Sequence, residues 1–218
     1  MPNDQPHRRG FVYSPHGNIE YREAGEGPAL VLLHLNTSSA AMYIPYFPLL
    51  SGHVRAISMS AMGYGESDRP PKPYTTLHEF AQAVVWLLDG LGLETASIFG
   101  LLTGSMIATE VGAGWPNRVD KLILQEVFNW NTPQRRAVQE RVHSYHPEKK
   151  DGSHLVEMWQ RAANAGTAER DAEAVRQRFL DRFRLNSNEG VEEFYGDMGW
   201  EGAGPYAMCR YEIWERAP

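Results

Sequence analysis

A single cysteine, Cys209, stands among the 218 residues, which excludes an intrachain disulfide and leaves no means of building a cysteine-rich metal site. Such a thiol is expected to be packed and inert, as suits a reducing compartment. Excess positive charge is also lacking. The formal net charge is −6 and the basic residues gather into no single run, so the electrostatic footprint of a nucleic-acid binder is missing. No stretch approaches the roughly 18 consecutive apolar residues of a membrane span. The N-terminus, "MPNDQPHRRGFVYSPHGN", has no apolar core of the kind a secretory signal carries. These absences together predict a cytoplasmic protein with neither a nucleic-acid partner nor a membrane partner.

What is present is 42% hydrophobic and 22% charged sequence, enough to bury one sizeable core with a small appended subdomain. Two alternating segments separated by "PHGN" predict a β-hairpin. "ALVLLHL" (29–35) and "VRAISMS" (54–60) are continuous apolar runs, the pattern of strands covered on both faces. "TLHEFAQAVVWLLDGLG", from Thr76, has a Thr start, helical apolar spacing at Phe80, Val84, Leu87 and Leu88, and a glycine stop. "ASIFG" then predicts a strand, "GSMIATEVGAGWP" a helix and "VDKLILQE" a strand. Strands alternating with helices imply a mostly parallel sheet with helices on both faces. After Asn129 only helical patterns follow, near 132–144, 153–165, 168–184, 190–198 and 205–216. The expected organisation is a core over 1–129 and a helical cap region over 130–218.

Four landmarks in order, "LLHLNTSS", "GYGESDRP", "GLLTG" and "WPNRVDKLIL", resemble the α/β-hydrolase superfamily. The resemblance implies an α/β fold whose sheet opens with an antiparallel N-terminal hairpin and is covered by a helical cap. It also implies a nucleophile at the centre of G-x-S-x-G, on a strained turn between strand and helix, with the next backbone N–H aimed at the oxyanion. Here the motif reads Gly100-Leu101-Leu102-Thr103-Gly104, so the turn is matched while the nucleophile position holds the unreactive Leu102. Leu102 is expected to keep the strained turn at positive φ, at a cost on the order of 1–3 kcal/mol. Thr103 occupies the position whose amide serves the oxyanion hole. Its hydroxyl and that of Ser105 fit local hydrogen bonds better than nucleophilic attack.

The loop "HLNTSS" is similar to the "HGNPTSS" loop of haloalkane dehalogenases, with Leu35 in place of glycine and Asn36 at the hole position. The likeness implies that Asn36 is a polar ligand at the site floor. It fails where the dehalogenase nucleophile maps to Leu102 and its halide-binding tryptophan to Thr103. His34 is expected to be a buried imidazole bonded to backbone. Ser67 and Asp68 are expected to fasten their loop. Glu126, at the end of the sixth strand, matches the catalytic acid of some dehalogenase-like members and equally fits a loop anchor. The elbow and the "DGSHL" loop also resemble a branch whose elbow reads G-x-H-T-G.

No histidine stands where the family's base belongs, and the final strands of the fold have no counterpart in the chain. His143, His146 and His154 fall in the cap region, where they could face the cleft but fit surface or packing roles better, and the spacing of 143 and 146 permits a shared helical face. No carboxylate or cysteine accompanies them at a matching offset, so neither a metal nor a cofactor is expected. The sixth strand would be a sheet edge, leading to a homo-oligomer or to a C-terminal piece lying outside this sequence, the second being favoured. Two functions stay open. One is a hydrolase-superfamily enzyme for a small apolar ester, lactone or related substrate. The other is a non-catalytic binder of small molecules.

Overall fold

Strands β1 (Arg8–Ser14) and β2 (Gly17–Ala24) pair antiparallel, Ser14 opposite Gly17, so the hairpin follows "PHGN" as the alternation predicts. The computed structural model describes residues 7–164 and 171–216. β3 (Ala29–Leu33) and β4 (Arg55–Met59), the two continuous apolar runs, occupy the middle of the sheet and are almost wholly buried. Between them lie a 3-10 segment over Ala40–Tyr46 and the short helix α1 (Phe47–Leu50). Helix α2 (Leu77–Gly90) opens on a capping box. Thr76 accepts from the Glu79 N–H, and the Glu79 carboxylate accepts from the Thr76 N–H at 2.9 Å.

β5 (Ala96–Leu101), α3 (Thr103–Gly114) and β6 (Val119–Gln125) complete a six-stranded sheet of order β1-β2-β4-β3-β5-β6. β2 pairs antiparallel with β4, and β3, β4, β5 and β6 run parallel. This is the mixed α/β sheet that the landmarks imply. β1 and β6 are its outer strands, and on β6 Ile123 is 48% exposed.

Beyond β6 the described chain is helical: α4 (Pro133–Val142), α5 (Ser153–Asn164), α6 (Ala172–Leu185), α7 (Glu192–Tyr195), a 3-10 segment over Gly196–Gly202, α8 (Ala203–Met208) and α9 (Ile213–Arg216). Residues 168–170 of the helix expected from 168 lie outside the described residues. α4 ends earlier than the periodicity suggests. His143 is its C-cap with extended backbone, so His143 and His146 share no helical face. α9 lies on the core, where the Arg216 guanidinium bonds both oxygens of the buried Glu110 on α3 at 2.9 and 2.8 Å. No helix among the described residues is long and apolar enough to cross a membrane.

Candidate active site

The elbow has the expected shape. Leu102, between β5 and α3, adopts φ 50° and ψ −109°. Its N–H donates to the Gln125 carbonyl at 3.1 Å, and its carbonyl accepts from the Ser105 N–H at 2.9 Å. A Cβ on Gly100 would lie 2.3 Å from the Gly104 oxygen, and one on Gly104 would lie 2.2 Å from the Leu33 oxygen. The glycines therefore let helix and strands meet at backbone distance. The Ser105 hydroxyl, buried, reaches the carbonyls of Gly100 (2.7 Å) and Gln125 (2.6 Å), tying β5 to β6. Thr103 is buried with its hydroxyl directed at the Met208 sulfur, 3.7 Å away. Among the described residues neither hydroxyl is bonded to an imidazole, and both make local contacts.

The loop after β3 supplies the opposite wall. His34 is held by two backbone bonds. The Ala61 N–H donates to Nε2 at 3.1 Å, which leaves the proton on Nδ1 for the Leu35 carbonyl at 2.7 Å. Burial pushes its pKa down to about 4, so it stays neutral and structural. Leu35 is half-buried and serves through that carbonyl. Asn36 is buried and fully engaged: Oδ1 accepts from the Tyr64 phenol at 2.5 Å, and Nδ2 donates to the Glu201 carbonyl at 3.1 Å. Thr37 beside it has φ 61°. Burial above all raises the Tyr64 pKa, so its hydroxyl remains a donor to Asn36 while its oxygen accepts the Gly204 N–H at 2.9 Å. Ser67 and Asp68 fasten their loop to β2, accepting from the Glu20 and Asn18 N–H groups at 2.8 and 2.7 Å.

The helices after β6 contribute what sequence reasoning missed. His143 is buried and hydrogen-bonded, so it is not a surface residue. Its Nδ1 lies 2.8 Å from Glu201 Oε1, its Nε2 lies 3.1 Å from Gln139 Oε1, and both ring nitrogens are 3.4 Å from Asn36 Nδ2. Glu201 is 4% exposed. Burial pushes its pKa up, but the hydrogen bond from His143 and the charges of Arg182, His143 and Arg161 outweigh that and hold it below the ordinary carboxylate value. An ionised, buried carboxylate thus orients an imidazole against the loop where the oxyanion hole is expected. The Gln139 amide controls the other nitrogen: presenting oxygen it occupies an Nε2 proton, and turned over it leaves Nε2 as a lone-pair acceptor.

Gly204 fills the space between these walls. A Cβ there would lie 2.9 Å from Asn36 Oδ1, 3.0 Å from Tyr64 Oη and 3.2 Å from Thr103 Cγ2, which places Asn36, Tyr64 and Thr103 around one point. A cavity of about 380 Å³ opens beside α4, α7 and α8, with Gln139, Tyr195, Met198, Tyr206 and Cys209 on its wall. Gln139 is common to this cavity and to the His143 contact. Cys209 is buried, and burial foremost raises its thiol pKa, in keeping with an inert role. Glu126 stands apart at the end of β6, exposed, with φ 59°, and no hydrogen bond joins it to a histidine among the described residues. Among those residues no three His, Cys, Asp or Glu side chains gather as metal ligands.

A family model described as the alpha/beta hydrolase fold matches residues 28–188. A 2-hydroxy-6-oxo-6-phenylhexa-2,4-dienoate hydrolase from Comamonas testosteroni is 32% identical over 110 residues, covering 49% of this chain and 38% of that one. Haloalkane dehalogenase 2 from Mycobacterium tuberculosis is 26% identical over 129 residues, covering 59% of this chain and 45% of that one. The matched part of the chain thus spans less than half the length of these curated relatives. Among solved structures, an enol-lactonase from Burkholderia xenovorans superposes with TM-score 0.67 at 19% identity, covering 95% of this chain and 76% of that one. An epoxide hydrolase from Vigna radiata gives TM-score 0.69 at 16% identity, covering 91% and 74%.

Proposed function

The chain belongs to the alpha/beta hydrolase fold family, and from that membership we propose that it hydrolyses a small, largely apolar ester, lactone or related substrate by activating water directly, with no covalent intermediate. The observation that carries this reading is the buried His143 imidazole, backed by Glu201 at 2.8 Å and set against Asn36. In the proposed step Nε2, released by the Gln139 amide, takes a proton from water while the water oxygen bonds the substrate carbonyl carbon. Glu201 accepts the Nδ1–H and stabilises the imidazolium. The oxyanion receives the backbone N–H groups of Asn36 and Thr103. Collapse of the tetrahedral adduct breaks the bond to the alkoxide, which regains the proton from Nε2. The 380 Å³ cavity offers Tyr195, Met198 and Tyr206 to an apolar part of a substrate, beside charged wall residues that include Arg136, Glu140, Glu193 and Arg210. Leu102, at the nucleophile position, is a hydrocarbon floor to this arrangement. Glu126 is the candidate for a second acid, and the division into a 1–129 core and a 130–218 cap is proposed with it.

A second reading, a non-catalytic binder that keeps the pocket, is favoured by one observation: Gly204 packs directly against Asn36 and Tyr64. Hydrolysis of short p-nitrophenyl esters and of lactones separates the two. With the wild type, Leu102→Ser, Glu126→Gln and His143→Ala in parallel, water activation predicts wild-type turnover that falls about 10²–10⁴-fold in His143→Ala. Activity confined to Leu102→Ser supports the binder. Wild-type turnover untouched by both His143→Ala and Glu126→Gln sinks the acid/base scheme.

A further inference from the structure

Two guanidiniums in the cap share one carboxylate. Arg161 on α5 and Arg182 on α6 approach the same oxygen, Glu201 Oε1, at 3.7 and 2.7 Å. Arg182 makes the direct charge-assisted bond, and His143 takes a further share of that oxygen at 2.8 Å. Arg161 spends three of its five N–H donors elsewhere, on the Ser144 hydroxyl at 3.1 Å, on the Val142 carbonyl at 2.5 Å and on His146 Nε2, which leaves the Nε–H and one Nη2–H. All three are neutral acceptors, since an imidazole nitrogen that accepts from a guanidinium carries a lone pair. No carboxylate approaches Arg161 closer than 3.7 Å among the described residues.

An open groove of about 520 Å³ lies over this unneutralised charge, lined by Val142, Glu157, Gln160, Arg161, Asn164 and Arg182. Its volume falls in the range of small-molecule sites, roughly 300–1,000 Å³. Glu157 on its wall already pairs with Lys149 at 2.7 Å. The remaining account is two fixed cations against Glu201, one positive charge in excess. Burial and the neighbouring Arg182 charge hold the Arg161 pKa below its ordinary value, so a further anion would relieve the site.

We propose that this groove binds a small monocarboxylate, held by the planar fork of Arg161 with Arg182 behind it and by the side-chain amides of Gln160 and Asn164. A guanidinium matches a carboxylate in two parallel bonds. The single excess charge suits a monoanion over a phosphate dianion, and Val142 offers an apolar contact for the rest of the molecule. The proposal does not rest on the hydrolytic reading, since its ligand is bound and not turned over, although the groove and His143 share Glu201.

Calorimetric titration of the chain with sodium benzoate tests this, with benzamide and inorganic phosphate as comparisons. Benzoate is expected to bind one to one. Its affinity should fall at least about tenfold in Arg161→Gln, the factor that loss of one charge-assisted hydrogen bond entails. It should fall by less in Arg161→Lys and stay unchanged in Lys121→Gln on β6. Benzamide and phosphate are expected to bind at least about tenfold more weakly than benzoate. Absence of benzoate binding up to about 10 mM, equal affinity in Arg161→Gln, or tighter phosphate than benzoate overturns the proposal. Should Arg161→Gln fail to fold, nuclear magnetic resonance of the wild type decides. Benzoate must shift the side-chain amides of Gln160 and Asn164, and shifts confined to other regions reject the site.

Discussion

The backbone N–H of Gly204 donates to the phenol oxygen of Tyr64 at 2.9 Å, and the same phenol donates to Asn36 Oδ1 at 2.5 Å. One hydroxyl thereby links α8 to the loop after β3. Tyr64→Phe removes both bonds and leaves a buried N–H and a buried amide oxygen without this partner. It is expected to cost about 1–3 kcal/mol, read by urea denaturation. Gly204→Ala tests the same junction from the other side. Its methyl would meet Asn36, Tyr64 and Thr103 at 2.9–3.2 Å, and overpacking of this kind is expected to cost about 1–3 kcal/mol.

Leu102→Gly is expected to act in the opposite direction. Leucine at φ 50° carries strain that glycine does not, on the order of 1–3 kcal/mol, against which stand the lost contacts of a half-buried side chain and the added freedom of the unfolded glycine. A net gain of about 1 kcal/mol, or roughly 2–4 °C in Tm, is expected by thermal unfolding. A fall in Tm would mean that the Leu102 side chain holds the turn.

Glu201→Gln removes the one carboxylate that, among the described residues, approaches Arg182, Arg161 and His143. Leaving two half-buried guanidiniums without this carboxylate is expected to cost about 1–3 kcal/mol at neutral pH. The folded pKa of Glu201 is depressed below 4.5, so its stabilisation is complete above the unfolded value and is lost as pH falls through the folded one. Melting curves taken from pH 7 down to pH 3 should therefore converge for the wild type and Glu201→Gln at the acid end.

Asp181 on α6 gives the reverse pH dependence. It is 3% exposed, and burial foremost pushes its pKa up to about 6, against the hydrogen bonds of Ser39 and Gln177 and the charge of Arg184. The folded state holds this proton more tightly than the unfolded chain does. Its contribution to stability is therefore present at low pH and is lost as pH rises from about 3.8 through about 6. Asp181→Asn keeps an oxygen for Gln177 without the charge. It is expected to raise Tm at pH 8 and to leave it nearly unchanged at pH 4; an equal shift at both would reject titration as the cause.

Much of the core was legible because its signals are local. Apolar runs marked β3 and β4, Thr76 and Glu79 sit three residues apart at the start of α2, and the glycines at 100 and 104 announced a turn that Leu102 occupies at positive φ. The polar cluster was not legible. His143 meets Glu201 across 58 positions and Asn36 across 107, and no spacing rule spans such distances. Helical periodicity even pointed the wrong way, because it carried α4 to 144, whereas the helix stops at Val142 and turns His143 into extended backbone. Tyr64 sits inside a loop whose glycines and Ser-Asp pair explain it as a turn, which hid the residue that bonds Asn36.

The bonds that hold the elbow are all made by backbone or by neighbours: the Leu102 amide to Gln125, the Ser105 hydroxyl to two carbonyls, the bare Cα atoms of Gly100 and Gly104 against the backbone facing them. The side chain at 102 contributes to none of them. The turn is in this sense a socket machined by its surroundings: the bonds that shape it are made around position 102, and none by the side chain that stands in it.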